Sequence, residues 1–155
     1  MDQPDIRIGV VIIKESKILL IRSNYSNHWF LPGGNPKHGE SIIEIAQRKV
    51  WEETNLKVSL QRVLMINESI SSDKHRHTIN IYFLGEILQE EPKIKREKLI
   101  QDCKFLTLEE IEKIEIYPNI KKEIKEMIQN EIYVQARYRG NIFEKTCRNK
   151  RDDYR

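Results

Sequence analysis

Apolar residues cluster in short runs along the first half of the chain, and these runs predict β-strands. Residues 6–13 (IRIGVVII) and 17–22 (KILLIR) are rich in β-branched and aliphatic side chains. The polar triplet 14–16 between them predicts a β-hairpin with a short turn. Residues 57–66 alternate imperfectly and are predicted to form a further strand, which a polar loop over 67–77 follows.

The second half of the chain combines one long strand with two helices. Over residues 78–88 apolar positions alternate with polar ones, and Asn80 and Tyr82 lie opposite the apolar set. This alternation predicts a strand with one buried face. A capping-box pattern predicts a short helix over 107–114, and apolar positions three and four residues apart predict an amphipathic helix over 120–137.

The most specific pattern is a helix over residues 41–54. Ser41 begins a capping box, and Asn55 favours a left-handed C-terminal cap. Apolar residues spaced three and four apart form a narrow stripe between the caps. On the polar side the carboxylates of Glu52 and Glu53 project together, and a Gly-Gly pair before the helix lets the backbone approach a ligand closely. Carboxylate and carbonyl oxygens are the donors that a hard cation such as Mg²⁺ prefers.

The spacing of glycine and charged residues around this helix forms a longer motif. Gly34 is followed after five residues by Glu40 and after seven more by Arg48, and the helix then continues KVWEETNL. This pattern resembles the Nudix box, G-x5-E-x7-R-E-U-x-E-E-x-G-U, in which U is an aliphatic residue. The preceding WFLPGG is also similar to the family's approach to its loop. An isolated Glu-Glu pair is more often a solvated helix face, so the full spacing is what indicates function.

The resemblance implies the fold class α/β (α+β), as a Nudix-type α/β/α sandwich with a mixed β-sheet over most of residues 5–136. The predicted elements agree, because they do not follow the regular βαβ alternation of a doubly wound sheet. The resemblance also implies an enzyme. It would be a metal-dependent hydrolase, using Mg²⁺ or Mn²⁺, that cleaves the pyrophosphate linkage of a nucleoside diphosphate joined to another group, as in a nucleotide or nucleotide sugar.

Site residues follow from the positions that match the box and, elsewhere, from residue type. The residues expected to be catalytic are Glu52, Glu53 and Arg48, of which Arg48 would orient its neighbours. The residues expected to bind metal are Gly33 through its carbonyl, Glu40, Glu52, Glu53 and Glu97. The residues expected to bind substrate are Gly33, Gly34, Lys49, Trp29 and Tyr82. Trp29, Tyr82 and Asn80 are candidates by type alone, and packing is the alternative role of each.

Glu97 is assigned by position. The family usually supplies a further acidic ligand from a loop outside the box, and the charged connector after the long strand contains Glu97. Glu90, Glu91 and Asp102 are alternatives in or at the end of the same connector, and a solvent-exposed role is the simpler interpretation of each.

The chain departs from the box at two positions. Asn55 replaces the second glycine, which is a mild change because both residues suit a left-handed cap. Lys49 replaces the first glutamate of the REUxEE core, which in the family helps to bind metal or activates the attacking water, and an ammonium group does neither. Losing a general base typically costs about 10² to 10⁴ in rate. At about 5.5 Å and an effective dielectric of 20, the ammonium also repels each unit of cationic charge by roughly 3 kcal/mol.

Three outcomes are compatible with Lys49. The base has moved to another part of the chain, or the domain is a slow hydrolase. Alternatively, the domain binds a nucleotide with weak or no hydrolysis, and Lys49 contacts a phosphate in place of the metal. The candidates for a relocated base are His75, His77, Glu68 and Glu86.

The positive charge of the chain is concentrated at its C-terminus. The net charge is +3, and residues 137–155 contain seven basic and three acidic side chains, which leaves −1 for residues 1–136. We therefore divide the chain into a Nudix domain, 1–136, and a basic tail, 137–155, that packs on the domain or is flexible. A small-molecule nucleotide is the expected partner, while the tail leaves nucleic acid open as a less favoured one. A homodimer is also left open.

Cysteine usage and hydropathy indicate the cell compartment. Cys103 and Cys147 form neither a CxxC nor a metal-ligand spacing, as expected of reduced thiols in a cytosolic protein. The longest early apolar run, 10–13, is too short for a signal peptide or a membrane span. We therefore expect a cytoplasmic protein that has no membrane partner.

Overall fold

A computed structural model describes residues 3–90, 100–130 and 136–142 of the 155-residue chain. Within these ranges the strands form two β-sheets with helices on both sides. The strands are β1 (Asp5–Val11), β2 (Ile13–Lys14), β3 (Lys17–Ser23), β4 (Trp29–Phe30), β5 (Gly33–Gly34), β6 (Leu56–Ile70), β7 (His77–Glu90), β8 (Ile100–Leu106) and β9 (Arg137–Asn141). The helices are α1 (Ile42–Thr54), α2 (Leu108–Glu112) and α3 (Lys121–Gln129).

The central sheet is mixed, with the strand order β5-β1-β7-β6-β9. Strand β7 runs parallel to β1 and antiparallel to β6, while β9 runs parallel to β6. In the second sheet β3 pairs with β8 and with the short strands β2 and β4. The mixed sheet was predicted, but its division from a second sheet was not.

The predicted hairpin between the first two apolar runs forms only in part. Strand β2 pairs with β3 around Glu15 and Ser16, whose φ angles are 52° and 61°. Strand β1 pairs instead with β5 and β7 in the central sheet. The chain therefore changes sheets at the buried Ile12. An uninterrupted apolar run does not mark such a change, because both of its faces are buried.

Strand β7 lies between β1 and β6 and is covered on both faces. Ile81 and Phe83 pack in the core beneath α1, whereas Tyr82 is 1% exposed in the core on the opposite face. The prediction of a single buried face was therefore wrong. A Cβ at Gly9 would lie 2.8 Å from the Tyr82 ring, so the ring fills the space left by this glycine. This burial gives Tyr82 a packing role in the core, which was the alternative to substrate binding, and its contact with a substrate stays a prediction.

Two element boundaries differ from the predictions. Strand β6 continues to Ile70, through residues expected in a loop, because its backbone stays paired with β7 as far as His77. The Asn80 amide also donates to the Asn67 side chain at 2.9 Å across this pair. Helix α3 ends at Gln129 instead of continuing to 137. The first five residues of the predicted tail form β9 on the edge of β6. Residues 143–155 of that tail lie outside the described residues.

Helix α1 has the predicted caps. The Ser41 side chain accepts from the Glu44 N–H and the Glu44 carboxylate accepts from the Ser41 N–H, while Asn55 adopts a left-handed conformation at φ 61°. Its buried side chains, including Ile45 and Val50, pack on β1 and β6. This packing fixes the polar end of α1 beside the glycines of β5. Within the described ranges, no helix combines the length and hydrophobicity needed to cross a membrane.

Candidate active site

Glu53 joins the last turn of α1 to the glycine pair. Glu53 is only 3% exposed, and its Oε1 accepts a hydrogen bond of 2.9 Å from the Gly33 N–H. Gly33 has a φ of +150°, and a Cβ there would lie 1.9 Å from the carbonyl oxygen of Ile8. Glycine is therefore required at position 33 for β5, β1 and α1 to approach this closely.

Arg48 and Glu40 connect the loop before α1 to the helix. The guanidinium donates from Nε to Glu40 Oε1 at 2.6 Å and from Nη2 to Oε2 at 3.0 Å. The Lys37 N–H also donates to Oε2, at 2.9 Å. The i,i+4 spacing of Glu44 and Arg48 predicts an ion pair, but Glu44 is used in the N-terminal cap. Glu40 and Arg48 thus hold the loop against α1, while metal binding by Glu40 remains a prediction.

These contacts shift the titration of both groups. Hydrogen bonds from Arg48 and from the Lys37 N–H lower the pKa of Glu40 to about 2, and the hydrogen bond with Glu40 raises the pKa of Arg48. A carboxyl whose pKa is lower in the folded state stabilises that state above its unfolded-state pKa. This stabilisation is lost as the pH falls towards the folded-state value.

The substitution Glu40→Gln should therefore flatten the acid side of the stability profile. We expect the difference in unfolding free energy between wild type and Glu40→Gln to be present at pH 7 and to shrink between about pH 5 and pH 2. Urea denaturation at a series of pH values measures it, with Glu109→Gln on the exposed side of α2 as the control. A difference that did not change with pH would contradict the ion-pair assignment.

Glu52 lies between two cations. Its Oε2 is 3.5 Å from the Lys49 Nζ and 3.5 Å from the Arg48 Nη1. The Lys49 stem packs on Gly34, since a Cβ at Gly34 would lie 3.1 to 3.3 Å from three of its carbons. The Lys49 side chain therefore packs against Gly34 and is only 16% exposed.

The donors at this point suit a hard cation. Glu52, Glu53 and the Gly33 carbonyl supply oxygen ligands of the type that Mg²⁺ and Mn²⁺ favour. Among the residues that the structure describes, no three His, Cys, Asp or Glu side chains converge as a metal-binding cluster. The predicted ligand Glu97 lies outside the described residues, as does Glu91. The donor chemistry thus fits a divalent cation, and Lys49 lowers the negative charge that would attract it.

Trp29 is packed in the core beside Arg22. The residue is 8% exposed in the core between the sheets, and the Arg22 guanidinium carbon lies 5.3 Å from its ring centroid. These contacts support packing, the alternative role, and substrate contact by Trp29 stays a prediction. Asp102, an alternative to Glu97, contacts Arg22 at 3.5 Å and Lys104 at 3.4 Å.

The candidates for a relocated base lie on the β6–β7 hairpin. The His77 Nε2 is 2.8 Å from Glu68 Oε1, and the Tyr138 hydroxyl donates to Glu68 Oε2. Glu68 pairs with Ile79 of β7. Gly33 pairs with Gly9 of β1, which in turn pairs with Tyr82 of β7. Ile79 and Tyr82 are three residues apart, so Glu68 is displaced from Gly33 by about 10 Å along the strand direction. His75 is exposed in the turn, and Glu86 is exposed and accepts from Gln61 at 3.2 Å.

Arg7 is a buried polar residue that the sequence analysis missed. It is 3% exposed, its Nη2 donates to the Leu31 carbonyl at 3.1 Å, and its Nε has no hydrogen-bond partner among the residues that the structure describes. Leu31 comes two residues before Gly33, so Arg7 supports the backbone that leads to the glycine pair. An arginine inside an otherwise apolar strand was the signal that could have identified it.

Known proteins share this sequence pattern. A family model described as the NUDIX domain matches residues 3–128. Phosphatase NudJ of Escherichia coli strain K12 is 26% identical over 113 residues, which are 72% of this chain and 73% of that protein.

Solved structures share the fold. A crystal structure of a UDP-X diphosphatase matches with a TM-score of 0.72 at 19% identity. The match covers 88% of this chain and 68% of the diphosphatase chain. A crystal structure of an ADP-ribose pyrophosphatase from Streptococcus suis matches with a TM-score of 0.70 at 24% identity. The match covers 88% of this chain and 99% of the pyrophosphatase chain. These likenesses confirm the predicted fold class. Because the family model matches residues 3–128, most of the chain, the protein belongs to the Nudix family.

Proposed function

We propose that this Nudix protein is a pyrophosphohydrolase that cleaves the pyrophosphate linkage of a nucleoside diphosphate joined to another group, and that it uses Mg²⁺ or Mn²⁺. The observation that carries the proposal is the buried Glu53 carboxylate held at 2.9 Å from the Gly33 N–H, with Glu52 beside it on the same helix end. The names of similar proteins, a UDP-X diphosphatase and an ADP-ribose pyrophosphatase, support this substrate class.

Each side chain has a definite task in this proposal. Glu52, Glu53 and the Gly33 carbonyl would hold the divalent ion, which when bound would neutralise diphosphate charge and polarise the phosphorus under attack. Gly33 and Gly34 let the substrate phosphates approach the backbone. The Glu40–Arg48 pair holds the loop before α1 against the helix, which helps these groups to retain their relative positions.

Lys49 supports a second candidate function, which is nucleotide binding with weak or no hydrolysis. Its ammonium occupies the box position of a carboxylate and lies 3.5 Å from Glu52. The group that would activate water is thus replaced by one that binds phosphate. Glu68 and His77, two candidates for a relocated base, contact each other and are displaced from Gly33 along the strands of the central sheet.

A substrate panel separates the two candidates. Nucleoside diphosphate sugars, ADP-ribose, dinucleoside polyphosphates and nucleoside triphosphates would be incubated with Mg²⁺ or Mn²⁺, and products would be separated by chromatography. We expect at least one nucleoside diphosphate derivative to release a nucleoside monophosphate, and EDTA to abolish its cleavage. Thermal unfolding with the same compounds reports binding. If nucleotides raise Tm while none is cleaved, the enzyme proposal fails and the binding function is supported.

A further inference from the structure

Lys49 is held inside the site. Its side chain is 16% exposed, its stem packs on Gly34, and its Nζ lies 3.5 Å from Glu52 Oε2. A lysine on a helix surface normally keeps its ammonium in water, because ordering the long side chain costs entropy. The packing of Lys49 on Gly34 therefore keeps a positive charge beside Glu52, next to the place where the substrate phosphates are proposed to bind.

The charge balance of the site changes with this residue. Glu40, Glu52 and Glu53 face Arg48 and Lys49, which gives a net charge of −1 for these five side chains. A glutamate at position 49 would instead make it −3. A site with less negative charge attracts a divalent cation less strongly and repels a diphosphate less strongly.

We propose that Lys49 is a resident cation of the active site. Its ammonium neutralises Glu52 and donates a hydrogen bond to a non-bridging oxygen of the diphosphate, so that a diphosphate binds even before a divalent ion does. The same charge weakens divalent-ion binding to Glu52 and Glu53. This inference rests on the proposed function, since it assumes a diphosphate at the glycine pair.

The local geometry carries this assignment. Lys49 and Glu52 are three residues apart on one face of α1, so their side chains emerge together. Gly34 has no side chain, and the Lys49 carbons occupy the space next to it. The Lys49 side chain thus runs from the buried glycine backbone of β5 to the Glu52 carboxylate. An ammonium has three N–H donors and contacts Glu52 and a phosphate oxygen together.

Two binding measurements test the proposal without turnover. Isothermal titration calorimetry with inorganic pyrophosphate in EDTA reports anion binding, and electron paramagnetic resonance with Mn²⁺ alone reports cation binding. For Lys49→Gln we expect pyrophosphate affinity to fall at least about tenfold, because hydrogen bonds to charged groups are among the stronger ones, and Mn²⁺ affinity to rise by about tenfold. Lys49→Arg keeps the charge and should resemble wild type in both measurements.

The control is Lys125→Gln, which removes a lysine that pairs with Glu112 between α3 and α2. Neither affinity should change in this variant. The proposal is overturned if wild type does not bind pyrophosphate in EDTA, or if Lys49→Gln leaves either affinity unchanged, as it would for an ordinary i,i+3 surface pair.

The outcome is separable from that of the substrate panel. If both affinities shift as expected and no compound is cleaved, Lys49 is a resident cation in a binding protein and the hydrolase proposal alone fails. If a substrate is cleaved and the affinities of Lys49→Gln equal those of wild type, the role of Lys49 alone fails.

Discussion

The variant Gly33→Ala is expected to lose both stability and activity. The new Cβ would lie 1.9 Å from the Ile8 carbonyl oxygen, and Ile8 cannot retreat because it pairs with Gly34 on one side and Ile81 on the other. Backbone strain and overpacking each cost about 1 to 3 kcal/mol, so we expect unfolding free energy to fall by roughly 3 kcal/mol or more. If β5 moves away to relieve the contact, the Gly33 N–H leaves Glu53 and turnover is lost as well.

The matched control is Gly39→Ala. Gly39 also has a positive φ, +82°, but within the described part of the chain no atom lies within 4 Å of a Cβ placed there. This variant therefore reports the left-handed backbone alone, which costs about 1 to 2 kcal/mol in a residue with a Cβ. Urea denaturation of both variants gives the cost of the contact by difference. Equal losses would show that β5 and β1 do not approach each other as described.

Features that depend on neighbouring residues could be predicted from the sequence. The capping box at Ser41, the left-handed cap at Asn55 and the apolar stripe of α1 need only a few consecutive positions, and all three are confirmed. The helix end and the Gly-Gly pair were also expected to face each other. The hydrogen bond between Glu53 and Gly33 confirms that contact.

Features that depend on which segments become neighbours could not be predicted. Tyr82 has the polar position of an alternating strand, yet β7 is central and its second face is covered by the other sheet and its helices. The switch between sheets at Ile12 lies within a continuous apolar run, which carries no boundary signal. The helix spacing offered Glu44 as a partner for Arg48, but Arg48 makes a bidentate contact with Glu40 in the loop before α1. Such a contact is stronger than a single exposed ion pair.

Lys49 marks the limit of prediction from the motif. The sequence shows that an ammonium replaces a carboxylate, but the direction of a long side chain depends on packing. The structure places its stem on Gly34 and its ammonium beside Glu52, so the substitution alters the charge at the site itself. This position makes Glu53, the carboxylate hydrogen-bonded to Gly33, the most informative residue for testing the remaining chemistry.

The variant Glu53→Gln should separate chemistry from folding. An amide oxygen still accepts from the Gly33 N–H, so we expect the unfolding free energy to stay within about 1 kcal/mol of wild type. The negative charge that would hold the divalent ion is lost, and we expect kcat for the best substrate of the panel to fall about 10²-fold or more.

Glu53→Ala removes the acceptor together with the charge, and therefore distinguishes the two roles of this carboxylate. It leaves the buried Gly33 N–H without its partner, which costs about 1 to 3 kcal/mol. We expect Glu53→Ala to be the less stable of the two variants and to be at least as impaired in kcat. Urea denaturation and initial rates on both proteins, with Glu109→Gln as the control, measure these effects. Turnover retained in Glu53→Gln would mean that this carboxylate does not take part in the reaction.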